Sequence, residues 1–124
     1  MPGLFGRERY AGLAAAERAI RIAQANRPER KMPIGLLTLE IYIPDAQSLK
    51  DKRQVLRSLK DKLRHHFNVA VAELDHQDLW QRSVVGVVSI SNDDKHLEQS
   101  MRAVADESER LLGRDLVGQD IEIF

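Results

Sequence analysis

Six cations are spaced along one short stretch of this chain in a way that suits phosphate. In "SLKDKRQVLRSLKDKLRHH", residues 48–66, Lys50, Lys52 and Arg53 stand at the start of an amphipathic pattern. Arg53, Arg57, Lys60 and Arg64 then follow one another at intervals of four, three and four. On a helix this spacing gathers those four into one continuous ridge. Free amides at a helix N-terminus, ringed by Lys and Arg, hold an anion by hydrogen bonds and by charge. A ridge behind them would follow a nucleic-acid backbone. The stretch carries seven Lys and Arg against Asp51 and Asp61, a net of +5, whereas residues 33–124 carry 12 basic and 16 acidic residues, a net of −4. It is a basic stripe on an acidic domain. If all six cations met phosphates, the log–log salt slope on single strands would be about −4.

A solvated face is the competing reading. A cation in the first turn of a helix costs roughly 0.3–1 kcal/mol, and burying four leucines contributes on the order of 6–12 kcal/mol as an upper bound. The helix therefore tolerates these cations without needing them. On this reading Lys52 lays its stem over the apolar stripe, and the arginines pair with carboxylates of the later core helix.

The remaining chemistry is sparse. His65 and His66 are adjacent, so on a helix they point apart and make no metal pair; their expected role is electrostatic, at the carbonyl end. "DHQD" places Asp75, His76 and Asp78 in one short loop without a second ligand cluster, which is weak support for a metal. Ser48 reads as a helix cap, and Ser83, Ser89 and Ser91 fall in strand or cap contexts. The chain has neither a Gly-x-Ser-x-Gly elbow nor a Gly-rich phosphate loop. No cofactor and no enzymatic activity is expected. Trp80 is expected to open a strand and pin a hairpin.

The elements that must position the ridge are legible. "IGLLTLEIYI", 34–43, alternates through Leu37, Leu39, Ile41 and Ile43, which predicts a strand with one well buried face. Pro44 and Asp45 end it. Ser48, with Asp51 at the reciprocal position, predicts a helix start, and Leu49, Leu56, Leu59 and Leu63 carry a core stripe toward Phe67. "NVAVAEL", 68–74, and "WQRSVVGVVSIS", 80–91, predict two more strands joined as a hairpin. Asn92, Asp93 and Asp94 open another helix, with Leu97, Met101, Val104, Ser108 and Leu111 inward and Gly113 at its stop. "DLVGQDIEIF" is a final strand. Strand, helix, strand, strand, helix, strand predicts an α+β, ferredoxin-like βαββαβ unit, a four-stranded antiparallel sheet with both helices on one face. Its open face would present Leu36, Thr38, Glu40 and Tyr42, to be covered by homodimerisation or by an N-terminal helix. Central aromatics for base stacking are missing from that face, so RNA is not expected on it.

Residues 8–26 form a further expected helix of weak amphipathicity, since Glu17 interrupts the stripe of Tyr10, Leu13, Ile20 and Gln24, and "RPERKMP" reads as a linker. The expected division is an N-terminal helical extension over residues 1–31 and a domain over residues 32–124. Lys plus Arg equals Asp plus Glu at 19 each and cysteine is absent, so neither global charge nor disulfides direct the reading, and a cytoplasmic setting is expected. No run of apolar residues is long enough to span a membrane. Glu8, Glu17 and Glu29, without serine, argue against a transit peptide in residues 1–31.

"MPIGLLTLEIYIPDAQSLKDKRQVLRSLKDKLRHHFNVAVAEL", then a tryptophan before an apolar strand, then "SISND" opening a helix, resembles the YlxP-like proteins, a small uncharacterised bacterial family (domain of unknown function 503). The resemblance covers residues 32–124, with Ser48, Leu49, Lys50, Asp51, Lys52 and Arg53 on the family signature. It implies a ferredoxin-like fold. Genes of such proteins often lie beside those for translation initiation factor 2 and ribosome-binding factor A, which implies a role near ribosome assembly or translation, with ribosomal or precursor RNA as the partner. Such proteins usually begin near the position of Met32. Residues 1–31 are thus expected to be either a lineage-specific extension or the product of an upstream start, alternatives that a mass measurement separates.

Overall fold

Alternation along one central strand decides the architecture. The computed structural model describes residues 11–25 and 32–124. Within it α1 spans Ala11–Ala25, β1 Ile34–Tyr42, α2 Leu49–His66, β2 Ala70–Asp75, β3 Arg82–Ile90, α3 Asp94–Leu112 and β4 Leu116–Ile123. The expected start of the first helix at residues 8–10 and the linker at 27–31 lie outside the described residues. β1 pairs antiparallel with both β3 and β4, and β2 pairs antiparallel with β3, giving the order β2-β3-β1-β4. The fold is α+β, an open four-stranded antiparallel sheet with three α-helices among the described residues.

Leu37, Leu39 and Ile41 of β1 share one face with Val85 and Val87 of β3, and Leu56, Leu59 and Leu63 of α2 and Leu97, Met101 and Val104 of α3 close over them in a single core. Both helices therefore lie on that face. Gly35 lets α3 come this close: a Cβ there would stand 2.6 Å from Met101 Cγ and 2.9 Å from its Sδ. Ser48 caps α2, its hydroxyl accepting from the Asp51 amide at 3.0 Å, and Asp93 caps α3, accepting from the Lys95 amide at 2.9 Å. Gly113, at φ 57, ends α3 in a conformation that side chains resist.

The second face is covered too. Leu36 and Val84 are buried there against Leu74, Val88 and Phe124. α1 touches β2 at one edge of the sheet. At the other edge its Arg21 pairs with Glu122 at 2.7 Å and stands 4.9 Å above the Phe124 ring. It thus crosses the face expected to be open, turning Glu17 inward and Ile22 outward. Thr38 and Glu40 end up 1% and 3% exposed, and Thr38 Oγ1 and Glu40 Oε2 have no hydrogen-bond partner among the described residues.

The strand edges differ from expectation in the β2–β3 hairpin. β3 begins at Arg82 rather than at residue 80, which leaves Trp80 in the loop, 54% exposed. His76 turns the chain with φ 65, so the loop is longer and tighter at its base than "DHQD" suggested.

Candidate functional site

The ridge lines a groove. Arg53, Arg57, Lys60 and Arg64, with Leu56 and Asp61 among them, form the α2 wall of a cavity of about 420 Å³ whose other lining residues are Glu73 and Val85 of the sheet. The three arginines are exposed and Lys60 is half-buried. Among the described residues the ridge makes one ion pair, Arg64 with Asp61 at 3.3 Å, both well exposed. Such a pair is worth a few tenths of a kcal/mol.

The carboxylates of α3 do not reach the ridge. Glu107 pairs with Arg110 of its own helix, whose guanidinium hydrogen bond holds the Glu107 carboxyl below its usual range, and Glu98 pairs with Arg102 at 3.6 Å. His66 and Lys62 of α2 also lower the Glu107 carboxyl, at longer range. α2 therefore shows Lys62 and His66 to α3 and its ridge to the opposite side, and the expected pairing of ridge arginines with the later helix is absent among the described residues.

Lys52 is the correction. Expected among the anion-binding cations, it is 1% exposed and so withdrawn from any ligand. Its Nζ lies 2.9 Å from Glu73 Oε2 and donates to the carbonyls of His76 at 2.7 Å and of Gln77 and Arg82 at 3.3 Å. Ser83 Oγ donates to the same Glu73 oxygen at 2.6 Å. Burying an ammonium demands partners of this kind. The buried positions of α2 are Lys52, Leu56, Leu59 and Leu63, so Lys52 occupies the first rung of the apolar stripe, and Leu49 stands only partly buried. Its charge is spent on Glu73, which also lines the groove, so the floor of the groove opposes an incoming anion less than its composition implies.

The N-terminus of α2 is also partly occupied. Besides the Ser48 cap, the Asp51 carboxylate accepts from the Gln47 amide at 2.9 Å, one residue further back than in the usual reciprocal cap. A carboxylate of the chain itself thus stands beside the helix end at which a phosphate is expected, and it offsets part of the positive charge there. Lys50 remains exposed beside it.

The histidines and the hairpin loop contribute no ligand cluster. The His65 and His66 rings, expected to diverge, meet edge to face with centroids 5.1 Å apart. Among the described residues no three of His, Cys, Asp or Glu gather closely enough to hold a metal. Sequence reasoning missed the role of Trp80. With Leu79, Tyr42 and Arg82 it forms an exposed patch around a shallow depression of about 590 Å³, and its place two residues after "DHQD" was the available signal.

Two comparisons bear on identity. Residues 34–118 match the family described as protein of unknown function (DUF503). The uncharacterised protein YlxP of Bacillus subtilis strain 168 is 37% identical over 71 residues, which covers 57% of this chain and 77% of that protein. The matched region holds β1, α2 and the cationic groove, and by this match the chain belongs to the DUF503 family.

Proposed function

We propose that the protein is a non-enzymatic, RNA-associated adaptor, built on a ferredoxin-like βαββαβ unit, that contacts ribosomal or precursor RNA along the α2 groove. The observation that carries this reading is the set of four cations on one groove wall whose sole salt bridge among the described residues is an exposed local one, beside a Glu73 already matched by Lys52. Cations gathered along a concave groove concentrate a polyanion. The strand order and the placement of both core helices on one face support the ferredoxin-like assignment. A small-anion sensor at the α2 N-terminus is less supported, because Ser48 and Asp51 already serve that end. Homo-oligomerisation through the second sheet face is less supported as well, because α1 lies across it. Co-sedimentation with ribosomal subunits across a salt series tests the proposal. Retention that fades as salt rises is the expected result, and absence of retention at low salt removes the reading.

A further inference from the structure

We propose that α1 is a releasable cover on the second face of the sheet, one that lifts away as a unit while the core beneath α2 and α3 stays closed. The inference is independent of the groove, since it concerns the opposite face and a movement of the fold.

The two faces of this sheet are closed by unlike means. Over the first, Leu56, Leu59 and Leu63 of α2 and Leu97, Met101 and Val104 of α3 bury apolar side chains against β1 and β3, and no described residue of α1 takes part. Over the second, α1 brings little to bury. Of its described side chains only that of Glu17 is buried, Ala14 and Ile20 are half-buried, and Ile22 is turned outward at 56% exposed. A carboxylate thus holds the place where a docked helix ordinarily sets its apolar stripe. At the β4 edge Arg21, its side chain 62% exposed, pairs with Glu122 and stands over the Phe124 ring. Ties as exposed as these are weak.

The sheet beneath the helix opposes it. Thr38 Oγ1 and Glu40 Oε2 are buried with no hydrogen-bond partner among the described residues. Both lose water when α1 docks and recover it when α1 lifts, so the polar groups under the cover favour the open form. A helix with a thin apolar face, exposed ties and unsatisfied groups below it opens at a fraction of the cost of the whole fold. Opening uncovers Leu36 and Val84 and leaves Leu37, Leu39, Val85 and Val87 sealed on the other face. In keeping with this division, the family match over residues 34–118 takes in β1 to β3 and both core helices and leaves α1 out.

Two adjacent residues of β3 provide the test. Val84 and Val85 are both fully buried, on opposite faces, and the chain has no cysteine. Val84→Cys and Val85→Cys are made singly in the full chain, and labelling of the native protein by a thiol reagent is followed at reagent levels where closing outpaces labelling. The thiol at position 84 is expected to react on the order of 100-fold faster than the one at position 85. In the Val84→Cys background, Glu40→Met should slow labelling by about 5- to 150-fold, with Thr38→Val acting in the same direction. Arg21→Ala should speed it by about 2- to 5-fold. Leu36→Cys and Val87→Cys repeat the comparison on the two faces should either valine position tolerate the thiol poorly. Equal labelling at positions 84 and 85 would make α1 part of one cooperative fold and overturn the proposal. So would a rate at position 84 that neither Glu40→Met nor Arg21→Ala changes. A rate near that of a free thiol in every variant would mean that α1 does not cover the face, and overturns it as well.

Discussion

Lys52 Nζ stands 2.9 Å from Glu73 Oε2, joining the first turn of α2 to β2 from a position only 1% exposed. The same ammonium bonds three carbonyls of the β2–β3 hairpin. Removing one member of a buried pair strands the other, at about 3–5 kcal/mol. Lys52→Met is therefore expected to destabilise the fold by about that amount in urea denaturation. Because Glu73 would no longer be stranded, Lys52→Met with Glu73→Met should lose less than the sum of the two single changes, with a coupling of about 1–3 kcal/mol. Strict additivity would show that the pair is not the clamp.

Glu40 presents the opposite case. It is 3% exposed and its Oε2 has no hydrogen-bond partner among the described residues, beneath a face crossed by α1. A buried carboxylate oxygen without a donor costs about 1–3 kcal/mol or more. Glu40→Met, of similar length and without the unsatisfied oxygen, should raise the urea midpoint at neutral pH. A fall in the midpoint would mean that the carboxylate stabilises the native state.

Gly35 tests how closely α3 sits on the sheet. A Cβ there meets the Met101 side chain at 2.6 Å in a core where Met101 is fully buried. Overpacking of this kind costs about 1–3 kcal/mol. Gly35→Ala should lower stability by that order, and pairing it with Met101→Ala should recover part of the loss. Thermal or urea melts of the single and double variants provide the check.

These sites divide what the chain discloses from what it withholds. Alternation from Leu37 to Ile41, the Ser48 and Asp93 caps and the stripe through Leu63 were readable because each obeys a local period or a local hydrogen bond. Even the burial of Lys52 was written in the spacing 52, 56, 59, 63, the same four, three, four that marks the ridge. Its partners were not. Glu73 and the carbonyls of His76, Gln77 and Arg82 are 21 to 30 residues away, and only the sheet brings them to one ammonium. The exposure of Trp80 was hidden for a related reason: the left-handed turn at His76 delays β3 by two residues, and no periodicity announces a positive φ on histidine.

The ridge predicts its own charge-reversal outcome. Arg53, Arg57 and Arg64 are exposed on the groove wall, beside the core stripe and outside it. Replacing all three by Glu should leave the melting transition close to that of the parent chain and abolish retention of RNA. Retention by a folded variant would show that the groove is a solvated face.

The salt dependence of binding tests the central claim most directly. With Lys52 withdrawn into its pair, five cations remain for phosphate: Lys50, Arg53, Arg57, Lys60 and Arg64. Anisotropy titrations of a labelled single-stranded RNA across a salt series should then give a log–log slope of about −3.5 if all five engage. Arg53→Gln with Arg57→Gln should make it shallower by about 1.4. A slope near zero, or one that the two substitutions leave unchanged, would contradict the groove as the site of nucleic-acid contact.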